Sequence, residues 1–381
     1  MATNGSSARR LLWPTAALIG ALAFAASCLL LAPGRHPHQF GAEFAAMAAD
    51  PFACRGPFPH RILGPLLAWL LGFGREHYWL FAHGTVVLFL ATVAATALRR
   101  GASLAGAAVL TATIAATGAV EVYKGHVGYP EPASFTLLLA GAALTQRAGW
   151  FWFVMFLGLL NHEGIAFYWP WLLWRAWRDN GGVRSADWLA APLVVGAYLA
   201  IRWLIFAHAT EPVLSANIYF AGLPTLATTG VWAYAMVSVV VYFGLLPMLW
   251  AWHCRVAGFL DAGAPMLLLL GSTFVMCTYA TDLPRFIGFL ALPTVFAGIH
   301  LLQRPRGVVW LAALGGATTI AIVAQRPVVL HLVDAMLRRM PDPFPIVVVD
   351  EWPVFAGYAA AITTMVVAGA VLAARRDAAP A

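Results

Sequence analysis

The chain has 381 residues, of which 61% are apolar and only 10% charged. A soluble domain carries roughly a quarter charged residues, so this surface has too few charges to be covered by water. The net charge of +7 does not point to nucleic acid, because the arginines sit in small clusters between apolar runs. Lys124 is the only lysine, beside 22 arginines, and the chain is rich in alanine. Both fit a GC-rich bacterial genome.

Apolar stretches of roughly 20 residues recur along the length, each long enough to span ~30 Å of hydrocarbon. Without water the backbone must satisfy its own hydrogen bonds, so such stretches become helices. Spans are expected near residues 11–32, 77–98, 102–121, 132–146, 187–208, 229–252, 263–280, 286–303, 307–324 and 353–374. The fold class is therefore all-α: a polytopic transmembrane bundle of about 10–12 membrane segments, counting short or re-entrant helices. No repeat or low-complexity linker divides it, so residues 1–381 read as one integral membrane domain. The first span follows Arg9-Arg10 and runs past Cys28 to Leu31, as an uncleaved signal anchor does. The four cysteines show no ligand spacing or disulfide pairing.

The first outer loop, 33–61, carries Glu43, then Asp50-Pro51, then Phe58-Pro59-His60-Arg61. Glu43, Ala46 or Met47, and Asp50 fall on one face of a short helix. Two carboxylates there could bind a divalent cation or act as a general base. Glu43 follows Gly41-Ala42 between Phe40 and Phe44, a setting that desolvates a carboxyl group and raises its pKa. Arg61, at the membrane edge, has the planar fork that binds a phosphate bidentately. The alternative is an interfacial helix with a snorkelling arginine. Residues 62–73 are too short to cross and lie in or under the interface.

The second outer loop holds Glu121, Tyr123, Lys124, His126, Tyr129 and Glu131. Aromatic rings alternating with hydrogen-bonding groups suit a sugar. An aromatic belt pair in a turn is the plainer alternative.

Residues 149–174 are irregular. Read as one span they would put Arg175, Arg178 and Arg184 outside, against the excess of cytoplasmic arginine. Read as two half-helices meeting at Asn161-His162-Glu163-Gly164, they leave and return on the cytoplasmic side, with Gly164 supplying the break. Both termini are then cytoplasmic. The turn brings Asn161, His162 and Glu163 deep into the protein, where ionisable residues mark function by default. A structural pair of Glu163 with Arg202 is the alternative.

Further on, Asp282-Leu283-Pro284-Arg285 makes a tight outer turn. Arg285 either pairs with Asp282 or faces a cavity to bind phosphate. The last outer loop, 325–352, contains an amphipathic stretch from Val328 to Met340 and the acids Asp350-Glu351. No phosphate-binding glycine loop, dinucleotide fingerprint, zincin helix or serine-hydrolase elbow is present. Matched interrupted helices and inverted repeats, the marks of a secondary transporter, are also not evident.

In layout the chain resembles the polytopic glycosyltransferases of the GT-C superfamily. The resemblance lies in Glu43 and Asp50 after the first span, the segment PFPHRILGPLL at 57–67, the NHEG break and the TDLPR turn. It covers most of the chain, although many members have an adjacent acidic pair in the first loop and a large outer C-terminal domain. The resemblance implies transfer of a sugar from a polyprenyl-phosphate carrier to an acceptor at the outer face of the bacterial cytoplasmic membrane. It implies Glu43 or Asp50 as catalytic base and Arg61 and Arg285 on the leaving phosphate. His60, Tyr123, Lys124, His126, Tyr129, Glu131, Asn161, His162, Glu163 and Asp282 would complete the binding surface. The partners are then the lipid-linked donor and membrane lipid. A transporter or flippase for a lipid-linked or anionic solute, or a non-catalytic assembly subunit, would use the same residues differently.

Overall fold

A computed structural model describes residues 4–37, 40–54, 56, 58–209, 229–279, 283–338 and 352–377. Among them every regular element is helical. Six helices are long and apolar enough to cross a membrane, or eight counting two bent pairs as one span each. The protein is thus a multi-pass helical membrane protein, and these counts are of the described residues. The first helix, Asn4–Ser27, has 24 residues, whereas the helix at 131–143 has only 13.

The chain folds into two compact units, one from residues 1–96 and 121–215, the other from 97–120 and 216–381. Each takes two separate stretches of chain, which is why the sequence shows no linker between them.

In the first unit the helices are α1 (Asn4–Ser27), α2 (Phe40–Met47), α3 (Leu63–Leu70), α4 (Tyr78–Arg99, as far as Thr96), α7 (Glu131–Ala143), α8 (Ala148–Asn161), α9 (Trp169–Asn180) and α10 (Ser185–Ala207). Between them in sequence lie α5 (Leu104–Ala115) and α6 (Gly118–Gly125), the latter carrying the chain back into the first unit. Helix α8 packs on α7 and α10, while α9 packs on α7.

The expected hairpin at 149–174 is present. Asp179 and Asn180, at the end of α9, bond Thr145 at 2.6 and 3.0 Å, and Arg175 donates to the Ala142 carbonyl at 2.9 Å. Asp187, at the start of α10, accepts from the Trp152 indole near the start of α8 at 2.8 Å, and Arg184 donates to the Thr145 carbonyl. The start of α8 and the end of α9 therefore lie at the same end of the unit. Arg147, Arg175, Arg178 and Arg184 belong to that end. The break is not made by Gly164. His162 adopts an extended conformation (φ −161°, ψ 117°) that ends α8, and a 3₁₀ segment, Glu163–Tyr168, leads into α9.

The second unit holds α5, α11 (Thr229–Phe243), α12 (Leu246–Ala257), α13 (Ala264–Tyr279), α14 (Leu283–Ile287), α15 (Ala291–Leu302), α16 (Gly307–Arg338) and α17 (Trp352–Asp377). Ser103 caps α5 by accepting from the Gly106 amide at 3.1 Å, the ordinary role of a serine at that position. Residues 236–243 of α11 meet α12 at 98°, so the expected straight span at 229–252 is broken. Gly244 makes the corner at φ +51°, and a Cβ there would sit 2.9 Å from the Thr318 carbonyl. Only glycine fits both constraints. Helix α16 continues unbroken through Pro327 to Arg338, so the last outer loop begins later than residue 325. Residues 339–351, with Asp342, Asp350 and Glu351, lie outside the described residues, as does Asp282.

Candidate functional site

The end of the first unit opposite Arg184 gathers ionisable side chains from segments far apart in sequence. Arg61 forms a two-point contact with Glu163: Nε to Oε2 at 2.9 Å and a terminal nitrogen to Oε1 at 2.6 Å. Arg61 is buried, and Glu163 is 23% exposed. The planar fork that suits a phosphate is thus engaged by a carboxylate of the chain. Glu163 pairs with Arg61, 102 residues away, and not with Arg202. The Arg61 guanidinium also stacks 4.1 Å from the Phe58 ring centroid.

His60 is buried beside this pair, its Nε2 3.3 Å from Glu163 Oε2. Nε2 is the ring nitrogen that faces the carboxylate. Burial pushes the His60 pKa down, and the neighbouring Glu163 offsets this only in part. For Glu163 the balance runs the other way. Burial raises its pKa, but the Arg61 charge and the contacts from His60 and Arg61 outweigh that and hold it well below the usual carboxylate range. At neutral pH the cluster is Arg61 cation, Glu163 anion and neutral His60.

The same end receives the start of α7 and the end of α8. Asn161 donates to the Pro130 carbonyl at 2.8 Å and to Ser134 Oγ at 2.9 Å. His162 Nδ1 accepts from the Gly164 amide at 2.9 Å, which leaves the imidazole proton on Nε2, 3.7 Å from Glu131 Oε1. Glu131 is fully buried. Asn161, His162 and Glu131 tie the 161–164 corner to α7 and so place Glu163. They are positioning residues in this arrangement.

Lys124, expected at the binding surface, is engaged within the chain. It is fully buried, and its ammonium donates to Ser27 O (2.6 Å) and Ser27 Oγ (3.2 Å) while pairing with Glu121 at 2.5 Å. It adds a charged donor to the Ser27 carbonyl at the C-terminal end of α1, which also accepts from the Leu30 amide at 2.9 Å. The two tyrosines expected to face a sugar are buried as well. Tyr123 meets Phe135 edge-on, centroids 5.7 Å apart, and Tyr129 meets the half-buried His126 at 5.9 Å. The second loop serves mainly as a seat for the first. The Gly34 amide donates to the Lys124 carbonyl at 2.8 Å, and Gly41 of α2 approaches Gly128, which has φ +99°, so closely that a Cβ on Gly128 would lie 2.9 Å from Gly41 Cα.

Glu43 and Asp50 are both exposed. The expected desolvation of Glu43 does not occur, because Phe44 and Phe40 turn onto Phe58 at 6.4 and 5.0 Å and leave the carboxylate in the open beside Gly56. Phe58 therefore links α2 to Arg61. Among the described residues no group of three or more His, Cys, Asp or Glu side chains is disposed to hold a metal ion.

Arg285 belongs to the second unit, where it is buried with its guanidinium 5.4 Å from the Phe286 ring centroid. That unit also contains a tautomer-fixed chain: Arg304 contacts His300 Nε2 at 3.2 Å, and His300 Nδ1 contacts His253 Nδ1 at 2.8 Å. An arginine only donates, so His300 carries its proton on Nδ1 and donates it to His253.

The sequence reading left out Tyr198 and Phe206, and gave Arg202 only as a pairing partner. Their i, i+4, i+8 spacing on α10 was the available signal.

Compared with known families, with curated proteins and with solved structures, the chain matches none.

Proposed function

We propose that this protein is a GT-C-type membrane glycosyltransferase that moves a sugar from a polyprenyl-phosphate donor to an acceptor at the outer face of the bacterial cytoplasmic membrane. The end of the first unit that holds Glu163 is its working end. The observation that carries the reading is the gathering of His60, Arg61, Glu131, His162 and Glu163 at one end of this unit, opposite the end with Arg147, Arg175, Arg178 and Arg184. By the positive-inside rule the arginine end faces the cytoplasm, which puts the cluster outside.

In this reading Glu43, exposed on α2, takes the proton of the acceptor hydroxyl. The acceptor oxygen bonds to the anomeric carbon, the bond from that carbon to the phosphate oxygen breaks, and the phosphate leaves with the electron pair. Arg61 offsets the growing phosphate charge, with Glu163 holding its guanidinium in register. General-base assistance of this kind contributes typically ~10²–10⁴-fold. The test is turnover of a polyprenyl-phosphate sugar by purified, reconstituted protein. Glu43→Gln abolishes transfer while sparing donor binding, and Asp50→Asn is milder. Full activity in both variants removes the first loop from the mechanism.

A transporter is the second reading, and one observation favours it. The span broken by 98° at Gly244 is the kind of discontinuous helix that lines transport paths.

A further inference from the structure

The cost of a charge inside an apolar span singles out Arg202. Helix α10 is a 23-residue candidate span, and only 11% of its apolar window is buried within the protein, against 61% for α4. Most of its surface thus meets lipid. On one face Tyr198, Arg202 and Phe206 succeed one another a turn apart. Arg202 donates to the Tyr198 hydroxyl at 3.1 Å, and its guanidinium lies 5.0 Å from the Phe206 ring centroid. The Phe206 ring meets His60 edge-on at 5.5 Å, so this face adjoins the Arg61–Glu163 pair.

Among the described residues no carboxylate contacts Arg202, and Glu163 already engages Arg61 at two points. Arg202 is thus a guanidinium at this end with no carboxylate bonded to it among the described residues. An intramembrane arginine is costly unless paired, and the pairing anion can come from the lipid. A planar fork backed by an aromatic ring, with a hydroxyl beside it, matches the oxygens of a phosphate ester. On this face Tyr198 is buried, Arg202 is half-buried and Phe206 is exposed, so such a group reaches Arg202 from the Phe206 end.

We propose that Arg202 and Tyr198 hold the phosphate of an anionic lipid headgroup, entering from the lipid side of α10 beside Arg61 and Glu163. This rests on the reading of that end of the unit as the working end. A phospholipid and a polyprenyl phosphate present the same chemistry, and the experiment separates them from a free anion.

The full chain, purified in neutral detergent, is titrated with dioctanoyl phosphatidylglycerol, a short-chain polyprenyl phosphate, inorganic phosphate and dioctanoyl phosphatidylcholine. Binding is read as saturable protection against thermal unfolding. The expected result is protection by one or both anionic lipids and none by phosphatidylcholine or inorganic phosphate. Arg202→Gln raises the half-saturating concentration roughly tenfold, as expected for a lost charged hydrogen-bonding group. Arg202→Lys, which keeps the charge and loses the fork, falls between. Without lipid, Arg202→Gln unfolds no earlier than the wild type, because no carboxylate of the described residues is bonded to Arg202. Equal protection in the wild type and Arg202→Gln overturns the proposal. So does equal protection by inorganic phosphate, or a lipid-independent loss of stability in Arg202→Gln, which would reveal a counter-charge within the protein. Turnover is not measured, so a failure here is distinct from a failure of the transferase reading.

Discussion

Replacing Glu163 by Gln keeps its size and removes the charge that Arg61 faces at 2.6 and 2.9 Å. Two unit charges about 4 Å apart attract by ~4 kcal/mol at an effective dielectric constant of about 20. Breaking a buried pair by removing one partner costs about 3–5 kcal/mol, because the other charge stays buried. Arg61 is 5% exposed and so bears that cost almost fully, whereas the 23% exposure of Glu163 tempers it. We expect Glu163→Gln to destabilise the protein by about 3 kcal/mol, and Arg61→Gln by a similar amount. The double variant should lose clearly less than the sum, with a coupling of about 2 kcal/mol. Unfolding in mixed micelles, followed by tryptophan fluorescence, measures all four corners of the cycle. A single-variant loss below about 1 kcal/mol with no coupling, as for an exposed pair, would refute the claim that this contact locks the first loop to the 161–164 corner.

Three other outcomes follow from the same geometry. Lys124→Met removes the ammonium shared by Ser27 and Glu121. It should cost about 3 kcal/mol and increase hydrogen exchange across residues 27–47, and a Lys124→Met protein as stable as the wild type would contradict the anchoring role. The His60 pKa is lower folded than the ordinary value of 6.5. The unfolded chain therefore takes up a proton first as pH falls through that value, and stability present above it is lost on acidification. The Glu163 contribution, from a depressed carboxyl, goes only below its ordinary 4.5. His60→Gln should flatten the fall of the unfolding midpoint as pH drops below the ordinary 6.5, and an unchanged slope would show that His60 is not held neutral. A single cysteine placed at position 180, at the end of α9, should react with impermeant reagents only from the cytoplasmic side. Labelling from outside would invert the assignment of the arginine-rich end.

Much of the helical order is legible in the chain because apolar runs and their flanking arginines obey constraints set by lipid. Arg175, Arg178 and Arg184 alone argue that residues 149–174 must return to the side they left, and Thr145, Asp179 and Asn180 lie together accordingly. What local spacing does not encode is pairing at a distance. Nothing near Glu163 in sequence points to Arg61, 102 residues away. The interleaved tyrosines and the lone lysine of the second loop resemble a ligand surface, and the fold buries Tyr123, Lys124 and Tyr129. The Lys124 ammonium serves Ser27, which only the fold brings close. Glu43 errs in the opposite sense. Its flanking phenylalanines suggested burial, but both rings are claimed by Phe58. The division into two units was hidden because each is assembled from two separated stretches.

The most direct test of the proposed function uses sealed vesicles containing the protein in a known orientation, with a radiolabelled polyprenyl-phosphate sugar in the membrane. Label is followed in the lipid, in an added acceptor on each side, and as free solute. The account predicts acceptor-linked label only on the side of the His60–Arg61–Glu163 end, lost in Glu43→Gln. Label that crosses the membrane still attached to its carrier, or a donor left untouched by the wild type, would contradict it.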